Sequence, residues 1–267
     1  MLAGAFTGGL LQLHVAMWVA PAVALALSSA CCPGRRGKPL VSGPFPGYKG
    51  RVGYSRGTGM TYGSVRIYRR DWTPEQVHRR VGSLAAAGMV LRHTRTGRIT
   101  AISGEWETCG EQVEMDRESL LAAMIGLGEE SFTFQYWMTD DEDADVTCTL
   151  TRIGDVVVED YDLDGFGGPV YRKGQDTVIR PLLAEFRATG SSAVGLVVDR
   201  WGPALDTDLD DIVTGGPTPV TVTPELMVLR PGIARRNFAS RDLVPFGDFL
   251  ARDTDGILAL AGNRSST

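Results

Sequence analysis

Histidine and lysine are scarce in this chain, and the catalytic motifs built on them are absent. Of its 267 residues only three are histidine, His14, His78 and His93, and none lies near a recognisable catalytic partner in the sequence. There is no nucleophile elbow, no phosphate-binding loop and no zinc-ligand spacing. These absences weigh against the enzyme classes that use such motifs, although carboxylate chemistry leaves little trace in a sequence.

Cysteine is also too sparse to form a disulfide framework. Cys31 and Cys32 are adjacent, whereas Cys109 and Cys148 lie far apart, a pattern that fits a reducing cytoplasm. We expect Cys148 to be a small buried apolar residue.

Acidic residues are missing from the first 59 positions. That segment has six Lys or Arg and no Asp or Glu, so residues 60–267 hold 21 basic and all 32 acidic side chains, a formal charge of −11. We therefore divide the chain at Met60. Residues 1–59 form an apolar segment followed by a Gly/Pro/Arg-rich linker, and residues 60–267 form a single acidic domain.

Residues 8–30 are uncharged and mostly apolar. As a helix they would measure about 35 Å, enough to cross a bilayer core of about 30 Å. Arg35, Arg36 and Lys38 follow, which would keep the acidic domain on the cytoplasmic side. In the alternative interpretation Met60 is the true start and the protein lacks residues 1–59. Membrane contact is therefore expected only if residues 8–30 are made and inserted.

Residues 131–165 predict three consecutive β-strands. Phe132, Phe134, Tyr136 and Met138 alternate with polar or amphipathic residues, and a second alternating stretch follows an acidic run. Gly154-Asp155 predicts a tight turn that pairs Ile153 with Val156. Counting back sets Arg152 opposite Val157, Leu150 opposite Glu159, Cys148 opposite Tyr161 and Asp145 opposite Asp164. Five residues should then face the core: Val146, Cys148, Leu150, Val157 and Tyr161.

The remaining elements predict an α+β fold with a mostly antiparallel sheet and helices on one face. Thr73 and Pro74 open a first helix, and Asp116 caps a second. From Val65 to Met138 the order is strand-helix-strand-strand-helix-strand, with a loop over residues 104–115, which is the order of a ferredoxin-like start. A third helix is expected from Asp176 or Thr177 to Thr189, and a buried strand over residues 193–199.

The predicted hairpin brings carboxylates together at one end. We take the following as the candidate partner-binding residues: Asp140, Asp141, Glu142, Asp143, Asp145, Asp162 and Asp164. Four of them, Asp143, Asp145, Asp162 and Asp164, are also weak candidates for a divalent-cation site, the one cofactor considered. In a third interpretation they are a solvated strand end that discourages edge pairing. The segment Asp160-Tyr-Asp162-Leu-Asp164-Gly165 matches the opening half of an EF-hand calcium loop. An EF-hand is nevertheless excluded, because Tyr171 occupies the twelfth loop position, which needs a glutamate.

The negative charge decides among partner classes. A domain at −11 repels nucleic acid, whereas it attracts a basic protein surface. The favoured hypothesis is a non-catalytic interaction module whose acidic strand end binds a basic partner, in the manner of an immunity protein that blocks a toxin. The alternatives are a carboxylate- or metal-dependent hydrolase and a membrane-tethered cytoplasmic domain.

Overall fold

The computed structural model describes residues 63–103, 111–163, 171–204 and 207–262. Within these ranges the strands are Ser64–Arg69 (β1), Met89–Val90 (β2), Ile99–Ser103 (β3), Glu111–Met115 (β4), Phe132–Met138 (β5), Asp141–Ile153 (β6), Val156–Asp162 (β7), Ala193–Asp199 (β8), Leu226–Leu229 (β9), Val244–Phe246 (β10) and Phe249–Asp253 (β11). The α-helices are Pro74–Ala86 (α1), Arg117–Ile125 (α2), Tyr171–Thr189 (α3), Leu209–Thr214 (α4) and Pro231–Asn237 (α5). Short 3₁₀ helices cover Gly190–Ser192, Ser240–Asp242 and Ile257–Ala261.

These strands form one antiparallel sheet, in the order β10-β11-β9-β8-β1-β7-β6-β5-β3-β4, with β2 also paired to β5. The α+β prediction is confirmed. The ferredoxin-like pairing is not formed, because β1 pairs with β7 and β8, two strands that come much later in the chain. Element order alone does not fix which strands pair, and here the neighbours of β1 lie beyond the predicted motif.

The predicted hairpin register is confirmed. Ile153 pairs with Val156, Leu150 with Glu159 and Cys148 with Tyr161. Gly154 makes the turn with φ +61°, a backbone conformation that favours glycine. The five predicted core-facing residues of β6 and β7 are all buried.

Three boundaries differ from the sequence prediction. β6 begins at Asp141, inside the run expected to be a loop, and a bulge separates the pair Trp137–Asp145 from the pair Met138–Asp141. Residues 111–115 form β4 instead of a loop. Helix α3 begins at Tyr171, five residues before the expected cap at Asp176. Aspartate and glutamate have low strand propensity, which conceals the start of β6 and the strand β4, both of which tertiary packing stabilises. The early start of α3 was missed because Gly174 interrupts an otherwise favourable helical segment.

Helix caps agree with the sequence. Thr73 Oγ1 accepts a hydrogen bond from the Gln76 amide at 3.4 Å, and Pro74 follows as the first helical residue. Asp116 Oδ1 accepts from the Ser119 amide at 2.7 Å. These bonds satisfy amide groups that a helix start leaves without partners, so the chain itself specifies where α1 and α2 begin.

The two faces of the sheet are covered differently. Helices α1, α2 and α3 and the 3₁₀ helix Ile257–Ala261 pack over what we call the α1–α3 face, which carries the larger apolar cluster. The short helices α4 and α5 pack on the opposite face, here the α4 face. The prediction of helices on one face of the sheet is therefore correct for α1 to α3 only. Helices α4 and α5 cover β7, β1, β8 and β9 from the other side. Strand β5 contributes no residue to that second cluster.

Candidate functional site: the acidic part of the α4 face

The acidic run lies where β5 turns into β6. Thr139 and Asp140 form the turn, and Asp141 opens β6 opposite Met138. Asp140 and Asp141 are both exposed. The side chains of Glu142 and Asp143 fall outside the described part of the structure. The turn therefore presents carboxylates to solvent at the end of a long strand pair.

Asp145 and Asp162 lie on the same sheet face. Asp145 pairs with Trp137, and its Oδ2 accepts a hydrogen bond from Gln135 Nε2 at 2.6 Å. Asp162 follows the core residue Tyr161 on β7 and therefore points to the α4 face. Both carboxylates are half-buried. Asp164, the predicted partner of Asp145, lies outside the described residues, so that pairing stays a prediction.

Polar side chains continue along β5 and β6 on the α4 face, away from Asp145. Thr133 and Thr149 lie opposite each other with hydroxyl oxygens 3.1 Å apart, and the hydroxyls of Ser131 and Thr151 are 3.0 Å apart. Thr133 and its neighbour on the same face, Gln135, are buried, whereas Ser131 is exposed. We call the set of Asp140, Asp141, Asp145 and Asp162 the acidic face.

An ion pair that the sequence did not indicate borders the acidic face. Arg66 Nε of β1 lies 2.9 Å from Asp160 Oδ2 of β7, and Arg66 Nη1 lies 3.8 Å from Asp210 Oδ1 of α4. The Tyr68 hydroxyl donates to the same Asp210 oxygen at 2.8 Å. These contacts hold α4 against the sheet, and they pair Arg66 with carboxylates of the same chain.

The charges around Arg66 shift one another's titration. Asp160 raises the pKa of Arg66 further above its already high value. Burial raises the pKa of Asp160, and Arg66 offsets part of that effect. Burial also raises the pKa of Tyr68, so its hydroxyl stays protonated and remains a donor. This border is therefore a contact within the chain in which one arginine lies between two carboxylates.

A second charged cluster lies buried on the α1–α3 face. Arg69 Nε donates to Glu159 Oε2 at 3.1 Å, and Arg80 Nη1 donates to Glu185 Oε2 at 2.5 Å. Arg69 also contacts Glu185, and Arg80 also contacts Glu159. Arg80 Nη2 completes the set by donating to the Tyr161 hydroxyl at 2.7 Å. All four charged side chains are at most 5% exposed, so we call Arg69, Arg80, Glu159 and Glu185 the buried quartet.

The buried quartet is electrically balanced, with two positive and two negative groups. Burial raises the pKa of Glu159, and the attraction of Arg80 and Arg69 offsets only part of it. Burial acts in the same sense on Glu185, but Arg80, Arg69 and a hydrogen bond from Thr189 bring its pKa below the usual value. Since each arginine serves both glutamates, the cluster ties β1, β7, α1 and α3 together. Because these four side chains are enclosed, a substrate cannot reach them, and the role of the buried quartet is structural.

The structure describes two histidines and one cysteine, residue types that often act in catalysis. The rings of His93 and Trp137 are tilted by 42° with centroids 4.2 Å apart, and His93 Nδ1 accepts from the Arg95 amide at 3.1 Å. His78 is exposed on α1. Cys148 is fully buried, and burial raises the pKa of its thiol well above the usual value. A buried neutral thiol is a poor nucleophile.

A metal-binding arrangement is not found in the part of the chain that the structure describes. No group of three or more His, Cys, Asp or Glu side chains there is placed to hold an ion. The Asp143 side chain and Asp164, two of the four weak metal candidates, lie outside that part. A groove of about 260 Å³ does occur elsewhere, and its lining includes Phe186, Arg187 and Asp248. It contains none of the predicted site residues.

None of the helices in the described ranges has both the length and the apolar character needed to span a bilayer. Residues 8–30, where the sequence predicts a span, lie outside these ranges.

The similarity of this chain to known proteins is weak. No protein-family model matches the chain, and no curated protein matches its sequence. Among solved structures, the Pseudomonas aeruginosa T6SS protein PA0821 is similar over 71% of this chain and 64% of that chain, at 12% identity and a TM-score of 0.35. The match thus spans less than two thirds of that protein.

Proposed function

We propose that this chain is a non-catalytic protein-interaction module that binds a basic partner through its acidic face. The observation that carries the proposal is the position of Asp140 and Asp141, exposed on the β5–β6 turn, with Asp145 and Asp162 on one face of adjoining strands. Among the described residues, β5 contributes none to the apolar cluster that α4 and α5 form on that face. The domain's charge of −11 adds long-range attraction for a cationic surface.

The mechanism is electrostatic steering followed by docking. Exposed carboxylates raise the rate at which a positively charged surface meets the acidic face in a productive orientation. Gln135 is 5% exposed, and its side-chain amide donates to Asp145 Oδ2, so it holds that carboxylate in place on the sheet. Such a module inhibits a basic protein by covering its surface, which is how an immunity-type protein would act. Its action in a reducing cytoplasm is part of the same proposal.

Salt-dependent capture with charge-neutral variants tests this function. The protein is immobilised, and partners from host-cell extract are compared between about 0.1 M and about 1 M salt, where the Debye length falls from about 10 Å to about 3 Å. The test variant carries Asp140→Asn, Asp141→Asn and Asp145→Asn. Its control carries Glu118→Gln, Glu129→Gln and Glu130→Gln, which remove the same charge from exposed positions of α2 and the loop after it.

The proposal expects one or more Lys/Arg-rich proteins to be retained at low salt by wild type and by the control. The same proteins should be lost at high salt and lost by the acidic-face variant. Equal retention by both variants would show that net charge, and not this surface, is responsible. A melting temperature that rises with Mg²⁺ or Ca²⁺ in wild type but not in the acidic-face variant would instead favour the metal-dependent alternative.

A further inference from the structure

Strand β4 forms one edge of the sheet and is built differently from the strand at the other edge. Among the described residues only β3 pairs with it. Its first four residues are exposed, and Val113 is 42% exposed. At the opposite edge, β10 has three residues and includes Pro245, which has no backbone N–H to offer. Since a strand at a sheet edge is a template for another strand, β4 is the described edge better able to accept one.

We propose that β4 pairs antiparallel with β4 of a second copy of this chain, about a two-fold axis at Val113. Opposite residues of an antiparallel pair point to the same face of the sheet. Glu111, Val113 and Met115 pair through β3 with Ser103, Ala101 and Ile99 and so share the α1–α3 face. Placing Val113 opposite its own copy pairs all five residues and continues both faces across the junction.

The glutamates of β4 favour this register over its neighbours. With Val113 opposite Val113, Glu111 lies opposite Met115 and Glu114 lies opposite Gln112, so no carboxylate directly faces another. Sliding each strand one residue in either direction, with both faces kept, leaves only three pairs. In one of those two arrangements Glu114 faces its own copy, which is destabilising. In the proposed register Glu114 meets its copy only on the diagonal, and Arg98 Nε lies 3.4 Å from its carboxylate.

Apolar contacts favour the same arrangement. Ala101, opposite Val113 on β3, is buried, and Met115 packs against the larger apolar cluster. Val113 is the next apolar side chain outward on that face, and it is exposed in the single chain. In the pair, the two Val113 side chains cover each other and extend the apolar layer from one copy to the next.

Site-specific cross-linking tests the register. Cysteine is introduced singly at Val113, Gln112 or Glu114 in the full chain, with Cys31, Cys32 and Cys109 replaced by serine, and the protein is oxidised by oxidised glutathione. Directly opposite Cα atoms lie about 4.5–5.5 Å apart, within disulfide range. We expect Val113→Cys to give a covalent dimer by itself. Gln112→Cys and Glu114→Cys should give one mainly when the two proteins are mixed before oxidation.

Light scattering across a concentration series provides the non-covalent test. Wild type should dimerise, and Val113→Lys should be monomeric because two ammonium groups would face each other. Val244→Lys, at a similarly exposed valine on the opposite edge strand, should dimerise like wild type. Circular dichroism confirms that each variant is folded. A monomeric wild type, a Val113→Lys protein that still dimerises, or efficient self-linking of Gln112→Cys would overturn the proposal.

Discussion

Arg80 of α1 and Glu185 of α3 form an ion pair inside the domain, with Nη1 and Oε2 2.5 Å apart and both side chains at most 3% exposed. They meet beneath β1 and β7, whose Arg69 and Glu159 complete the buried quartet. The arrangement fixes how two helices sit on the sheet whose other face carries the proposed binding surface. Its disruption is therefore expected to act on stability.

Removing one charge from the buried quartet should be costly. Glu185→Gln leaves two arginines with a single carboxylate between them, and breaking a buried ion pair typically costs about 3–5 kcal/mol. Urea unfolding should show this loss of free energy of unfolding. The exposed control Glu130→Gln should stay within about 0.5 kcal/mol of wild type. An unchanged midpoint for Glu185→Gln would contradict the network seen here.

Removing a balanced pair should cost less than the two single changes together. Arg80→Met combined with Glu185→Met leaves Arg69 and Glu159 as a neutral pair, with side chains of similar length filling the space. Coupling energies between groups in direct contact are about 0.5–3 kcal/mol. A double-mutant cycle measured by chemical unfolding should give a coupling in this range. Strict additivity would mean that the two side chains act independently.

Gly195 should not tolerate a side chain. A Cβ at this position of β8 would lie 2.6 Å from Val213 Cγ1 and 2.9 Å from the Val228 carbonyl oxygen, so α4 or β9 would have to move. We expect Gly195→Ala to destabilise the domain by about 1–3 kcal/mol. Gly82→Ala is the matched control, since a Cβ there meets nothing within 4 Å on the exposed side of α1. Its higher helix propensity should leave stability unchanged or slightly improved.

Asp199 should make stability fall as pH rises. Burial raises the pKa of its carboxyl from 3.8 to about 6. Between about pH 4 and pH 6 the folded protein keeps this proton while the unfolded chain releases it, so the free energy of unfolding decreases across that window and is flat above it. Asp199→Asn keeps an acceptor for the Ala204 amide, which Asp199 Oδ2 contacts at 3.0 Å. The wild-type-minus-variant difference in unfolding free energy should therefore decrease from pH 4 to pH 6. A flat difference would argue against this assignment.

The local parts of the fold were accessible from the sequence. Alternation and the Gly154-Asp155 turn gave the pairing of β6 with β7, and Thr73 and Asp116 gave two helix starts. These features depend on residues close together in the chain. The pairing of β1 with β7 and β8 does not, because nothing in Ser64–Arg69 specifies partners about ninety and one hundred and thirty residues away.

The buried quartet was missed for the same reason, although one signal was present. The predicted register set Glu159 opposite the core residue Leu150, which places a carboxylate on the core face. Arg80 likewise lies beside Val81 on the buried side of α1. A charged residue at an inward position requires a buried partner. Which residue is that partner depends on how distant elements pack. The acidic run was found, whereas its place within β6 was not, because aspartate disfavours strands.

The most direct test of the proposed function is the association rate constant of this protein with the captured partner as ionic strength increases. We expect a steep fall for wild type and for the Glu118→Gln, Glu129→Gln, Glu130→Gln control, since long-range attraction is screened by salt. The Asp140→Asn, Asp141→Asn, Asp145→Asn variant should associate more slowly at low salt and show a shallower dependence. A slope equal to that of wild type would contradict binding through the acidic face.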